Sequence, residues 1–159
     1  MTKIIGITGG VGSGKSTLSK KLIESGFKVH DSDQEVEKIY LKPSKNFLSY
    51  LKKIGLEKAI NKKEIDKKYI AKKIFENTTL RKNLEEYIFT IVRKNRSKFI
   101  KKEKRKKTKT IFIDVPLLFE NNLDKIFHQI VCIISNKKLR YKRLKLKKNI
   151  NKKLFNNIL

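Results

Sequence analysis

Eight residues near the amino terminus have the types and the spacing to hold a phosphate. Gly9-Gly10-Val11-Gly12-Ser13-Gly14-Lys15-Ser16, followed by Thr17, match the pattern G-x-x-x-x-G-K-[ST]. Glycines let the backbone turn tightly and bring successive N–H groups onto phosphate oxygens. The start of the helix that follows adds its dipole. In this pattern Lys15 reaches the β- and γ-phosphates and the Ser16 hydroxyl ligates Mg²⁺, so ATP with Mg²⁺ is the expected ligand pair. Gly10, Gly12, Ser13, Gly14, Lys15, Ser16 and Thr17 are the candidate nucleotide-binding residues. Four of the seven glycines stand at positions 9, 10, 12 and 14, where such a loop needs them. A dinucleotide site would require G-x-G-x-x-G, and starting from Gly10 that spacing meets Lys15 where glycine is needed.

Other residues could complete a phosphoryl-transfer site. Asp31-Ser32-Asp33 follows a short apolar run, at the carboxyl edge where open α/β sheets bind ligands. Asp31 or Ser32 could simply cap the next helix, but one cap leaves a carboxylate over. Asp33 is the candidate to accept the proton of an attacking alcohol, with Asp31 the better placed of the two to cap. Asp114 ends the run Ile111–Ile113 in the manner of a carboxylate that holds Mg²⁺ through water, although aspartate at a strand end also serves ordinary turns. Arg140 and Arg143 lie one turn apart in a basic segment and suit a lid closing on transferring phosphate; solvated surface is the plain alternative. Cys132 and His128 are expected to be structural, in or beside a buried strand, and His30 borders the aspartate pair. No Cys/His metal constellation and no Ser-His-Asp candidate stands out.

These groups need a scaffold. Lys3–Thr8 (KIIGIT) has the signature of a buried strand stopped by glycines. Ser16–Ser25 carries Leu18, Leu22 and Ile23 at helical spacing before a stop at Gly26, and Phe27–His30 returns as a strand, the size of a βαβ unit. From Ser32 to about Lys107 the pattern is helical. Pro43 breaks one helix and Asn61 and Thr79 are candidate caps. The longest helix places Leu80, Leu84, Tyr87, Ile88, Ile91, Val92 and Phe99 on one face. Thr110–Val115 and Gln129–Ile134 read as continuous apolar strands, and Lys137–Lys148 and Lys152–Leu159 as basic helices. The order predicts a three-layer α/β fold with a parallel sheet, of the P-loop NTPase type. Its core would be 1–31 and 108–136, with a helical substrate-binding insertion at about 32–107 and a basic lid at about 137–159, all in a single domain.

Composition narrows the function classes. The 159 residues fit one domain, and no apolar run approaches the ~18–20 residues that span a bilayer. The glycine cluster begins at Gly9, so no removable leader is expected. Cys132 is the single cysteine, which excludes an intrachain disulfide; a reducing cytoplasm is the expected location. The formal charge of +26 raises nucleic acid as a partner. Yet the excess is mostly lysine spread along a chain also rich in Ile and Asn, as an AT-rich coding sequence would favour. Solvated helix faces are the expected reading, with neither nucleic acid nor membrane as partner.

Three segments together resemble the dephospho-coenzyme A kinases: GITGGVGSGKST at the start, HDSDQEV after the second strand, and DVPLLFE at Asp114–Glu120. The first marks any P-loop kinase, and the combination is far more specific. The resemblance covers essentially the whole chain. It implies transfer of the ATP γ-phosphoryl to the ribose 3′-hydroxyl of dephospho-coenzyme A, the last step of coenzyme A synthesis. It implies that Gly12–Thr17 bind ATP, that Asp33 meets the substrate hydroxyl, and that the helical insertion holds the coenzyme A portion. Pro116, Leu117 and Leu118 would line the cleft, and Arg143 matches a lid arginine. The chain departs from the family pattern in having Phe89-Thr90 for a frequent His-Pro, and Lys147 for a second lid arginine. A final strand and an adenine-contacting loop of the family would lie beyond Leu159. Another small-molecule or nucleoside monophosphate kinase is the enzyme alternative, and a catalytically weakened basic nucleic-acid-binding module the non-enzyme one. Oligomeric state is not legible from these residues.

Overall fold

The computed structural model describes residues 1–61, 64–148 and 155. They divide into two compact units, Met1–Ser32 with Phe99–Leu159, and Asp33–Lys98.

The first unit is built on four parallel strands in the order β2-β5-β1-β6: β1 (Lys3–Thr8), β2 (Lys28–Asp31), β5 (Thr110–Asp114) and β6 (Gln129–Cys132). Side chains alternate across a strand, so register sorts them by face. Ile4 pairs with Ile111, and Gly6 and His30 both pair with Ile113. On that face Ile4, Ile111 and Ile113 join Val115 and Leu118 in a buried core against Phe99, Ile100, Phe127 and Ile130. His30 is buried there too, its ring 5.4 Å from that of Phe99. The opposite face carries Ile7, Asp114 and Asp31, and helix α1 (Lys15–Glu24) meets it through Ser19. The result is a three-layer α/β arrangement. Gly26 ends α1 at φ +85, with Gly26 N–H bonded to the Ile23 carbonyl and Phe27 N–H to that of Leu22. That pair of bonds needs a left-handed residue, which glycine supplies without steric cost.

The second unit holds helices α2 (Ser32–Leu41, from its second residue), α3 (Lys45–Lys53) and α4 (Lys67–Glu76), a short hairpin of β3 (Ile60–Asn61) and β4 (Glu64–Ile65), and the start of α5 (Thr78–Arg105). Phe47, Leu51, Leu56, Ala59, Ile70, Leu84, Ile88 and Val92 form its core. Tyr50 and Tyr87 stack at 3.8 Å, and the Tyr50 hydroxyl donates to the Asn83 carbonyl. Burial first, then the charges of Glu86 and Tyr87, raise the Tyr50 phenol above its ordinary 10.0, so it stays a donor.

Several expectations need correction. Asn61 and Thr79 are not caps. Asn61 lies in the hairpin, Asp66 caps α4 by accepting from Lys68 and Tyr69 N–H, and Asn77 accepts from Leu80 N–H at the start of α5. The apolar face of α5 also serves two cores: Leu84, Ile88 and Val92 pack in the second unit, whereas Phe99 packs in the first. The two compact units divide inside α5, between Lys98 and Phe99. Strand β6 is shorter than Gln129–Ile134 and is the outermost of the four described strands, with Val131 and Cys132 exposed rather than buried. Helix α6 (Lys137–Lys148) forms as expected. The second basic helix expected over Lys152–Leu159 lies outside the described residues except for Phe155, which is buried against Tyr141 and Leu144.

Candidate active site

Strand β1 delivers the chain into the glycine loop, and α1 begins at Lys15 directly after it. Gly9, Gly12 and Gly14 adopt φ of 144, 75 and 115. These values lie in the region that side-chain-bearing residues avoid, so the glycines are required for the conformation itself. The loop closes on itself through Ser13 N–H to the Gly10 carbonyl, and the Gly14 carbonyl accepts from Thr17 and Leu18 N–H to open α1. The Lys15 ammonium donates to the Gly9 carbonyl at 2.7 Å, which keeps it at the loop. Ser16 and Thr17 are exposed at the first turn of α1. Inside the loop, the buried Ser13 Oγ has no hydrogen-bond partner among the described residues.

Asp114 is buried at the carboxyl end of β5, and its Oδ2 accepts from the Ser19 hydroxyl at 2.7 Å. Asp31 stands in register with it on the neighbouring strand. Two carboxylates thus share one face at the carboxyl edge of the sheet, the face that α1 covers. Ser19 is not among Leu18, Leu22 and Ile23, the apolar residues whose helical spacing predicts the packing of α1. Ile23 is half exposed, and Ser19 is the fully buried residue of the helix. The available signal was its spacing, one turn after Lys15 on the same side of the helix.

The arginines of α6 act on the loop's backbone. Arg140 Nε donates to the Val11 carbonyl at 2.8 Å, and Arg143 Nη1 to the carbonyls of Ser13 at 2.8 Å and Gly12 at 3.2 Å. The candidates of the DVPLLFE segment separate. The Pro116 carbonyl accepts from the Thr8 hydroxyl, and Leu117 is exposed. Leu118 is fully buried in the first unit's core, so its side chain fills that core rather than lining a cleft. His128 Nδ1 accepts the Ile4 N–H, a structural role on an exposed residue.

Asp33 opens the second unit, exposed in the first turn of α2 only two residues beyond the end of β2. Its charge and that of Glu35 suit the positive end of the helix dipole. Along α2 and α5 the second unit carries an open cleft of about 470 Å³ lined by Glu35, Lys38, Ile39, Lys42, Ile91 and Asn95. Asn95 donates to Glu35 across it at 2.9 Å. Among the described residues no helix is long and apolar enough to cross a membrane.

A family model described as Dephospho-CoA kinase matches residues 3–159. The chain belongs to the dephospho-CoA kinase family. A dephospho-CoA kinase of Fusobacterium nucleatum is 39% identical over 159 residues, covering 98% of this chain and 79% of the relative. One from Streptococcus agalactiae is 36% identical over 153 residues, covering 96% and 77%. Among solved structures, a crystal structure of a Thermus thermophilus protein superposes with a TM-score of 0.78 at 25% identity, over 99% of this chain and 78% of that one. The dephospho-CoA kinase of Campylobacter jejuni superposes with a TM-score of 0.62 at 20% identity, over 96% and 99%, a likeness of fold. The family is one of ATP-dependent kinases, which agrees with the loop that β1 and α1 build.

Proposed function

We propose that the chain transfers the γ-phosphoryl group of ATP to the ribose 3′-hydroxyl of dephospho-CoA, giving CoA and ADP. The observation that carries this most directly is the join of β1, the glycine loop and α1, with Asp31 and Asp114 in register at the same sheet edge. Backbone N–H groups of Gly10 to Thr17 would bind the ATP phosphates, and Lys15 would stabilise charge on the γ-phosphoryl as it transfers. Mg²⁺ fits the hard oxygen donors of Ser16 and Asp114, since it binds through one or two protein oxygens plus phosphates. When bound it would neutralise phosphate charge.

Asp33 would position the acceptor hydroxyl and take its proton as the new O–P bond forms and the bond to the β-phosphate oxygen breaks. Arg143 would add charge at the loop. The cleft along α2 and α5 suits part of the acceptor, with lysines at its rim for phosphate and Ile39 and Ile91 for apolar stem. Pro116 and Leu117 remain candidates for acceptor contacts. The single cysteine supports a cytoplasmic setting, and the scattered lysines favour no nucleic-acid partner.

The decisive experiment is an acceptor panel. Purified protein with Mg·ATP is offered dephospho-CoA, adenosine, pantetheine and nucleoside monophosphates, and products are read by mass. Phosphate should enter dephospho-CoA in strong preference. Faster transfer to a monophosphate, or none to dephospho-CoA, would overturn the assignment.

A further inference from the structure

The phosphate loop is walled by α6. A Cβ placed on Gly10 would lie 2.8 Å from Nη2 of Arg140, one on Gly12 3.1 Å from both the Arg140 carbonyl and Leu144 Cγ, and one on Gly14 3.4 Å from Nη1 of Arg143. Three glycines of the loop are thus filled from the outside by a helix about 130 residues away in the chain. The arginines also hold carbonyls: Arg140 that of Val11, Arg143 those of Gly12 and Ser13. A trans peptide is planar, with its C=O and the following N–H pointing in opposite directions. No peptide bond among the described residues is cis. Holding the Val11 carbonyl therefore aims the Gly12 N–H the other way, and holding that of Ser13 aims the Gly14 N–H.

We propose that Arg140 is a positioning residue for ATP: it touches no phosphate itself, but fixes the peptide that presents the Gly12 N–H, and Gly10 is small so that its guanidinium can lie there. This rests on the loop being the ATP phosphate site, and deepens that reading by assigning Arg140 to the loop's backbone instead of the transferring group. Arg143 contacts two carbonyls and is already assigned to the site, so Arg140 gives the cleaner test.

The test is calorimetric titration of the whole chain with Mg·ATP and no acceptor, so that it stands whether or not dephospho-CoA proves to be the acceptor. Arg140→Ala should weaken ATP binding about tenfold, the scale of losing one hydrogen bond to a charged group. Lys138→Ala removes one exposed charge from the same helix without that contact, and should cost less than about twofold. Arg140→Lys, which keeps a donor, should fall within about threefold of wild type. In turnover, Arg140→Ala should raise KM for ATP while kcat and KM for the acceptor stay nearly constant. Coupling is the sharpest signature. Gly10→Ala displaces the guanidinium and should cost close to the same tenfold when Arg140 is present, but less than about twofold when Arg140 is already alanine. Wild-type ATP affinity in Arg140→Ala, a loss no larger than that of Lys138→Ala, or equal costs of Gly10→Ala in both backgrounds would each overturn the proposal. Should Arg140→Ala fail to fold, Arg140→Met, which keeps the apolar stem and removes every donor, takes its place, and wild-type ATP affinity there overturns the proposal.

Discussion

Ser19→Ala probes the least expected contact of the site. The hydroxyl donates to Asp114 at 2.7 Å, and both residues are buried. A hydrogen bond to a charged acceptor contributes about 1.5–3 kcal/mol when the partner is left in place. Alanine returns about 0.5 kcal/mol of that through its better helix propensity at the middle of α1. The net loss is about 1–2.5 kcal/mol, which in a chain of this size lowers Tm by about 3–8 °C. Ser49→Ala, at an exposed position of α3, gains the same propensity without losing the bond, and should leave Tm level or slightly raised. Function should respond separately. If Asp114 stands on the Mg²⁺ side of the site, removing the group that orients it should raise the Mg²⁺ concentration for half-maximal turnover by about 10-fold or more. Thermal melts of both variants and a Mg²⁺ titration make the measurement. A Ser19→Ala protein that melts with Ser49→Ala and keeps its Mg²⁺ dependence would refute the role assigned to this contact.

Lys15→Ala should lower phosphoryl transfer by at least about a hundredfold while the fold survives, because the loop's conformation is set by its glycines; near-normal turnover in steady-state assays would sink the kinase reading. Asp33→Asn should lower kcat by about 10²–10⁴-fold with ATP affinity almost intact, and Asp31→Asn far less; equal effects, or a larger one at Asp31, would assign the base wrongly. At the end of α5, Lys107 adopts φ +54, with Lys107 N–H bonded to the Lys104 carbonyl and Thr108 N–H to that of Glu103. Glycine suits that position better, so Lys107→Gly should stabilise the fold by about 0.5–1 kcal/mol in denaturant unfolding, and a destabilised variant would count against the strain.

What could be read from the residues was mostly local. The strand, loop, helix and strand of the first thirty residues have short-range determinants: apolar runs, a glycine stop and a phosphate-loop pattern. They formed within a residue or two of their expected limits. Capping was legible in kind but not in place, because several polar residues compete before each helix. The hairpin at β3 and β4 took Asn61 and passed the cap of α4 to Asp66. The apolar face of α5 was correctly continuous, but a stripe of Leu, Ile and Phe does not say which partner covers it. Leu84 and Phe99 therefore ended in different cores. Strand β6 is a different case: QIVC is apolar enough to pair on both sides, and among the described residues only β1 pairs with it.

The phosphate loop shows how far a motif can be legible while its supports are not. Its pattern predicts glycines because the backbone must approach a phosphate, and three of them do adopt positive φ. Gly10 has no positive φ, and a Cβ there would meet the Arg140 guanidinium. No spacing rule joins residue 10 to residue 140, since the contact exists only once β1, β6 and α6 are in place. Asp114 is similar: its position at a strand end could be read, but its orientation depends on a serine 95 positions earlier that resembles any other polar residue of a helix. Residues that touch phosphate are restricted in type by chemistry, and so leave a pattern in one sequence. Those that aim them are restricted by geometry between distant segments, where any donor of suitable reach will serve.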